Sequence, residues 1–172
     1  MSSLQTALQT MAPDTDSPAE ILERINRFYI HNIRFTTFVT VFLARYDPKD
    51  RTLTYVNSGH NPPAVFRKNA SEIEWLTRTA PAIGLAEEYF PRTETVTLSE
   101  GDILLLYTDG LTEAFNIEME QFGAQRLADF LQNAADLSAS DMLQVVRQGV
   151  DAYSGDVRLS DDMTLVALKV SG

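Results

Sequence analysis

Apolar residues recur at helical spacing near the N-terminus and alternate or run together through the middle of the chain. They return to helical spacing before one last apolar run. Leu4, Leu8 and Met11 fall at i, i+4 and i+7, so residues 1–11 read as a helix, with Ser2 and Gln5 placed as a capping box. Residues 13–16, Pro-Asp-Thr-Asp, break it. Ser17 as N-cap, Pro18 at the first helical position and Glu20 three residues after the cap open a second helix to about Asn32. Its apolar stripe is Ile21, Leu22, Ile25, Phe28, Tyr29 and Ile33.

Residues 35–46 are rich in β-branched and aromatic side chains and predict a long central strand. After the turn Asp47-Pro48-Lys49-Asp50, residues 51–57 alternate, Leu53 and Tyr55 on one face and Thr52, Thr54 and Val56 on the other, which predicts an antiparallel hairpin. Short strands are expected over 64–67, 72–76 and 93–98. The breaker-rich loop 58–63 and the irregular segment 77–91, with residues 82–85 as a packed loop, separate them. The apolar run 103–107 lies between Gly101-Asp102 and Asp109-Gly110 and predicts a strand buried on both faces, with a loop after Gly110. Helical spacing returns over 121–132, with Leu127, Phe130 and Leu131 apolar. A further helix begins at a Ser138–Asp141 cap and carries Met142, Val145, Val146, Gly149, Val150 and Tyr153 on its buried face. A polar loop over 154–160 leads to a final strand over 163–170.

This order predicts an α+β fold with sheets at the centre and helices packed outside. No repeat, low-complexity tract or interdomain linker interrupts it, so residues 1–172 are expected to form a single domain: helices over 1–33, a sheet region over 35–107, helices over 121–153 and the last strand. Hydrophobic residues make up 44% and charged residues 22%, an ordinary globular balance. The formal net charge of -10 disfavours a nucleic-acid or anionic-membrane partner, which would call for clustered Lys and Arg. With no cysteine, disulfides, zinc–thiolate sites and thiol nucleophiles are excluded. No apolar run is long enough to span a bilayer and no signal-peptide pattern opens the chain, so a cytoplasmic protein is expected.

Candidate chemistry rests on carboxylates. Asp109 stands where the run 103–107 ends, and Asp161-Asp162 opens the last strand, a placement that would let the two meet at one edge of a sheet. Hard cations such as Mg2+ and Mn2+ prefer carboxylate oxygens and water, and the end of a rigid strand is a good place for such a ligand. Asp-Gly is equally a common turn dipeptide that needs no metal. His60 is a lone histidine in a Gly-Pro loop, open to a structural or a catalytic reading. Asp102 reads as a turn residue, Glu113 as support for the Asp109 loop, and His31 as a partly exposed helix residue.

Taken together, several segments resemble one family. They are Tyr55-Val56-Asn57-Ser58-Gly59-His60-Asn61-Pro62-Pro63, Ile83-Gly84-Leu85, Gly101-Asp102-Ile103-Leu104-Leu105-Leu106-Tyr107-Thr108-Asp109-Gly110-Leu111-Thr112-Glu113-Ala114, Phe122-Gly123-Ala124-Gln125-Arg126-Leu127 and Asp161-Asp162-Met163-Thr164-Leu165. In order and spacing they resemble the metal-dependent protein serine/threonine phosphatases of the type 2C fold (the PPM family), in the bacterial SpoIIE/RsbU-like branch. The resemblance covers essentially the whole chain. It implies a layered α-β-β-α sandwich of two antiparallel sheets flanked by helices. It also implies two Mn2+ or Mg2+ ions and an activated water that attacks phosphorus in line.

Carried over by motif, Asp109 would bind one metal and Asp161 the other, both as catalytic ligands. Asp162, Gly110, His60 and Asn57 would be supporting or loop positions. The implied substrate is phosphoserine or phosphothreonine on a regulatory protein, an anti-sigma-factor antagonist. The first two helices resemble the element through which upstream sensor domains act and such domains form homodimers.

The chain departs from the family pattern at its start. The acidic Gly-Asp-x-x-Asp strand motif and the Asp-x-x-Gly-x-Gly segment do not occur, and residues 1–11 resemble the body of the first helix. The expectation is a domain that starts late, lacks the first strands and the bridging aspartate, and is incomplete for catalysis. The alternative is a non-catalytic, degenerate phosphatase that serves as a binding scaffold. Retention of Asp109 and Asp161 argues against that alternative.

Overall fold

A computed structural model of the chain describes residues 2–32, 38–158 and 161–171. In chain order the elements are α1 (Ser2–Met11), a 3-10 turn (Ala12–Asp14), α2 (Pro18–Asn32), β1 (Val41–Asp47), β2 (Thr52–Ser58), β3 (Ala64–Arg67), β4 (Glu72–Trp75), β5 (Glu94–Thr97), β6 (Ile103–Tyr107), α3 (Asp109–Thr112), α4 (Gly123–Asn133), α5 (Ala139–Ser154) and β7 (Leu165–Lys169). They fall into two units, Met1–His60 with Thr77–Leu98, and Asn61–Leu76 with Ser99–Gly172.

In the first unit Ser17 caps α2 as its sequence predicts, accepting the Glu20 N–H on Oγ at 3.4 Å and the Ile21 N–H on its carbonyl at 3.1 Å. The Glu20 carboxylate takes the Thr15 hydroxyl at 2.7 Å and pairs with Arg24, and these two hydrogen bonds hold its pKa below the ordinary carboxylate value. Ile21, Leu22, Ile25 and Tyr29 bury their side chains in one cluster with Ala7, Val41 and Val56. Phe28, expected in the same stripe, is 38% exposed, so the buried face of α2 is narrower than its apolar face. The Ser2 side chain is not described, and Ile33 and the start of the expected 35–46 strand lie outside the described residues.

The sheet of this unit has the order β1-β2-β5, antiparallel throughout. Where described, the 35–46 strand begins only at Val41. Val39 instead exchanges backbone hydrogen bonds with Ile83, both at 2.9 Å, and Phe38 is exposed. The segment is thus drawn to residues 82–85, where Ile83 is fully buried as expected and Leu85 is not.

In the second unit the sheet order is β4-β3-β6-β7, again antiparallel. Ile103, Leu105 and Tyr107 of β6 enter one core with Leu127, Leu131, Met142, Val146 and Val150 of α4 and α5. Leu104, on the opposite face, is also buried, as a continuous apolar run predicts. Burial pushes the Tyr107 hydroxyl up to about 12. The Ser138 cap forms as expected, accepting the Asp141 N–H at 3.1 Å and donating to its carboxylate at 2.7 Å. On α5, Gly149 admits the Phe130 ring, which would stand 2.3 Å from a Cβ there.

The expected α+β class, with two antiparallel sheets plus helices, is what the chain forms. After Gly110, too, the expectation fails: the chain does not enter a loop. Residues 109–112 form the short helix α3, closed by Glu113 N–H donating to the Asp109 carbonyl at 2.8 Å and anchored by the fully buried Leu111.

Candidate metal site at the ends of β6 and β7

The register Ile103↔Lys169 to Tyr107↔Leu165 runs β6 out toward Asp109 as β7 runs in from Asp161-Asp162. Two hydrogen bonds extend that pairing past the strand ends. Thr108 N–H donates to the Thr164 carbonyl at 3.1 Å, and Thr164 N–H donates to the Thr108 hydroxyl at 2.9 Å. The Thr108 hydroxyl in turn donates to the Asp162 carbonyl at 3.0 Å. Distant stretches of sequence are therefore brought to one sheet edge, as the strand reading of both segments anticipates.

Gly110 sets the remaining distance. A Cβ on Gly110 would lie 2.7 Å from the Asp162 carbonyl oxygen and 3.1 Å from that of Asp161. Its backbone does not adopt the left-handed conformation found at Gly101 or Gly123. Glycine is thus required here by close approach and not, as its place after Asp109 suggests, by the geometry of a turn.

The carboxylates of Asp109 and Asp161 are exposed. One oxygen of each is held by the next backbone N–H, Gly110 on Asp109 at 3.1 Å and Asp162 on Asp161 at 2.7 Å, which restrains carboxylate rotation. Glu113 supports Asp109 through its backbone N–H. Among the described residues, no group of three or more His, Asp or Glu side chains is arranged to hold a metal. The donor chemistry still suits a hard cation, because Mg2+ keeps several waters and takes one or two carboxylates from a protein.

Asn57 and His60 belong to the first unit. Asn57 lies on β2, fully buried, and its carbonyl accepts the N–H groups of Thr79 and Ala80 at 2.9 and 3.0 Å. Its side-chain oxygen accepts the His60 N–H at 2.9 Å, so it shapes the loop from within the strand. His31 is exposed, with Nδ1 2.8 Å from the Arg27 carbonyl.

Asp102 is more than the turn residue its sequence suggests. It is 2% exposed and accepts from Arg67 Nη1 at 2.9 Å, Lys68 N–H at 3.0 Å and Ser99 N–H at 2.9 Å. Burial acts against the charge on Arg67, but hydrogen bonds to Asp102 and Glu74 outweigh it and hold the guanidinium pKa above its ordinary value. The sequence gives no warning of this pair, since Arg67 and Asp102 meet only through the β3–β6 pairing.

Comparison with known proteins fits this fold. The solved SiaA-PP2C domain of Pseudomonas aeruginosa superposes with a TM-score of 0.82 at 23% identity, covering 99% of this chain and 67% of that one. RsbX in complex with magnesium gives 0.68 at 16% identity, covering 99% and 72%. The architecture is therefore that of a PP2C-type phosphatase fold. Residues 1–171 match the family model of Stage II sporulation protein E, and the chain belongs to the SpoIIE family. Phosphoserine phosphatase RsbU of Bacillus subtilis is 25% identical over 171 residues, covering 98% of this chain and 50% of that protein. The chain spans about half or less of the length of the curated relatives it matches.

Proposed function

We propose that this chain, read as one SpoIIE/RsbU-like domain, serves in the removal of phosphate from phosphoserine or phosphothreonine on a regulatory protein. In this reading Asp109 and Asp161 hold Mn2+ or Mg2+. The observation that supports it most is the β6–β7 register, with the Thr108 and Gly110 contacts that set the two aspartates at one sheet edge. A cation bound there would offset phosphate charge and lower the pKa of water for attack on phosphorus. Asp109 and Asp161 supply the hard oxygens. Asp162 holds Asp161 through its N–H and accepts Thr108 through its carbonyl. RsbU, by its name, acts on phosphoserine. An anti-sigma-factor antagonist as substrate, and the pair of ions, rest on the family resemblance.

α1 and α2 are proposed as the contact for an upstream sensor domain or a second copy. A cleft of about 460 Å³ lined by Met11, Arg27 and Phe28 is compatible with that role.

A binding scaffold is the second reading. It is favoured by the lack, among the described residues, of a third carboxylate or histidine arranged with the pair. Mn2+-dependent phosphate release from a phosphoserine protein, measured on the chain and on Asp109→Asn, separates the two. Release that the variant loses supports the enzyme. Binding without release, equal in both proteins, supports the scaffold.

A further inference from the structure

Thr108 is extended (φ -87°, ψ 162°) at the capping position of α3, yet its side chain makes no cap hydrogen bond. A threonine at such a position ordinarily accepts the N–H two or three residues on. Here the hydroxyl turns away from its own helix and crosses to the other segment. It donates to the Asp162 carbonyl at 3.0 Å and accepts the Thr164 N–H at 2.9 Å, while the Thr108 backbone N–H donates to the Thr164 carbonyl at 3.1 Å.

Three hydrogen bonds thus tie the residue before Asp109 to the residues just after Asp161. β6 and β7 are already registered through Tyr107↔Leu165, so these bonds fix the flanking segments that carry the carboxylates and not the sheet itself. The hydroxyl is used as donor and acceptor at once. Valine, of similar shape, can do neither, and serine can do both. Gly110 permits the approach that the hydroxyl then locks.

We propose that Thr108 is a positioning residue for the cation site, its hydroxyl holding together the segments that carry Asp109 and Asp161. The inference rests on the metal reading above and deepens it. Supporting groups that orient metal ligands change affinity when removed even though they never touch the ion.

The test is a Mn2+ titration of the full chain, free Mn2+ being read by electron paramagnetic resonance, for wild type, Thr108→Val, Thr108→Ser and Asp109→Asn. Melting temperatures of the metal-free proteins are recorded alongside. The expected result is binding that Asp109→Asn removes, an affinity about 10-fold lower in Thr108→Val, and recovery to within about 2-fold in Thr108→Ser. Wild-type affinity in Thr108→Val overturns the inference and leaves the metal reading standing. So does an equal loss in Thr108→Ser, because the hydroxyl is then not what matters. A wild-type chain with no Asp109-dependent binding overturns the metal reading itself, and the role of Thr108 falls with it.

Discussion

Asp102 and Asp109 bracket the same strand, one in Gly-Asp and the other in Asp-Gly, and the two ends of β6 use them in opposite ways. Asp102 is buried, with both carboxylate oxygens engaged by Arg67, Lys68 and Ser99. Asp109 is exposed, with one oxygen on the N–H of its own neighbour. A buried carboxylate surrounded by donors stabilises a fold. An exposed one, pinned only by its neighbour, keeps its other oxygen open to solvent. The difference lies in what the neighbouring strands bring to each end, not in the aspartates.

The largest expected effect separates the two ends by function. Asp109→Asn should abolish Mn2+-dependent phosphate release and change unfolding free energy by no more than about 0.5 kcal/mol, as for an ordinary surface substitution. Asp102→Ala should do the reverse. It strips Arg67 of its buried partner and leaves two backbone N–H groups without their acceptor, for a loss of about 3 kcal/mol in urea denaturation. Asp109-dependent Mn2+ affinity should survive in whatever fraction stays folded. If Asp102→Ala weakened Mn2+ binding while costing little stability, the two ends of β6 would not be distinct in the way described.

Gly110→Ala sharpens the comparison at the Asp109 end. The added methyl meets the Asp162 carbonyl at 2.7 Å, so a loss of about 1–3 kcal/mol is expected, typical of overpacking. Mn2+ affinity should fall with it. Unchanged stability and affinity would mean that the two backbones separate freely.

The smallest effect concerns pH. Burial raises the Tyr107 hydroxyl from its ordinary 10 to about 12. The unfolded chain loses that proton near pH 10 while the folded chain keeps it. The Tyr107 contribution is therefore intact below pH 10 and is lost as pH rises to about 12. Tyr107→Phe should flatten the fall in melting temperature across that window. An unchanged slope would assign it to other groups, such as Tyr89, which burial also raises.

Much of the architecture was legible in the sequence because local signals and tertiary context agree. The Ser17 and Ser138 caps, the apolar run 103–107 and the stripe Ile21, Leu22 and Ile25 all formed as their periodicity predicts. Where context competes, local reading fails. Val39 pairs with Ile83 instead of extending β1, and Gly110 continues into α3 because Leu111 is buried behind it.

Of the candidate site, the sequence indicated Asp109, Asp161 and their meeting at a sheet edge. It did not indicate Thr108, whose hydroxyl gains meaning only once residues 108 and 164 lie opposite each other. The Arg67–Asp102 pair was hidden for the same reason, being made by strand pairing between residues far apart in sequence.

The most direct test of the central claim, that Asp109 and Asp161 act as one site, is the Mn2+-induced rise in melting temperature. It would be measured for wild type, Asp109→Asn, Asp161→Asn and the double variant. A ligand that binds only the folded state raises stability by linkage, and residues that share it couple non-additively. The expected result is that each single substitution removes the rise and the double removes no more than either. Two independent, additive losses, or a rise that survives both substitutions, would contradict it.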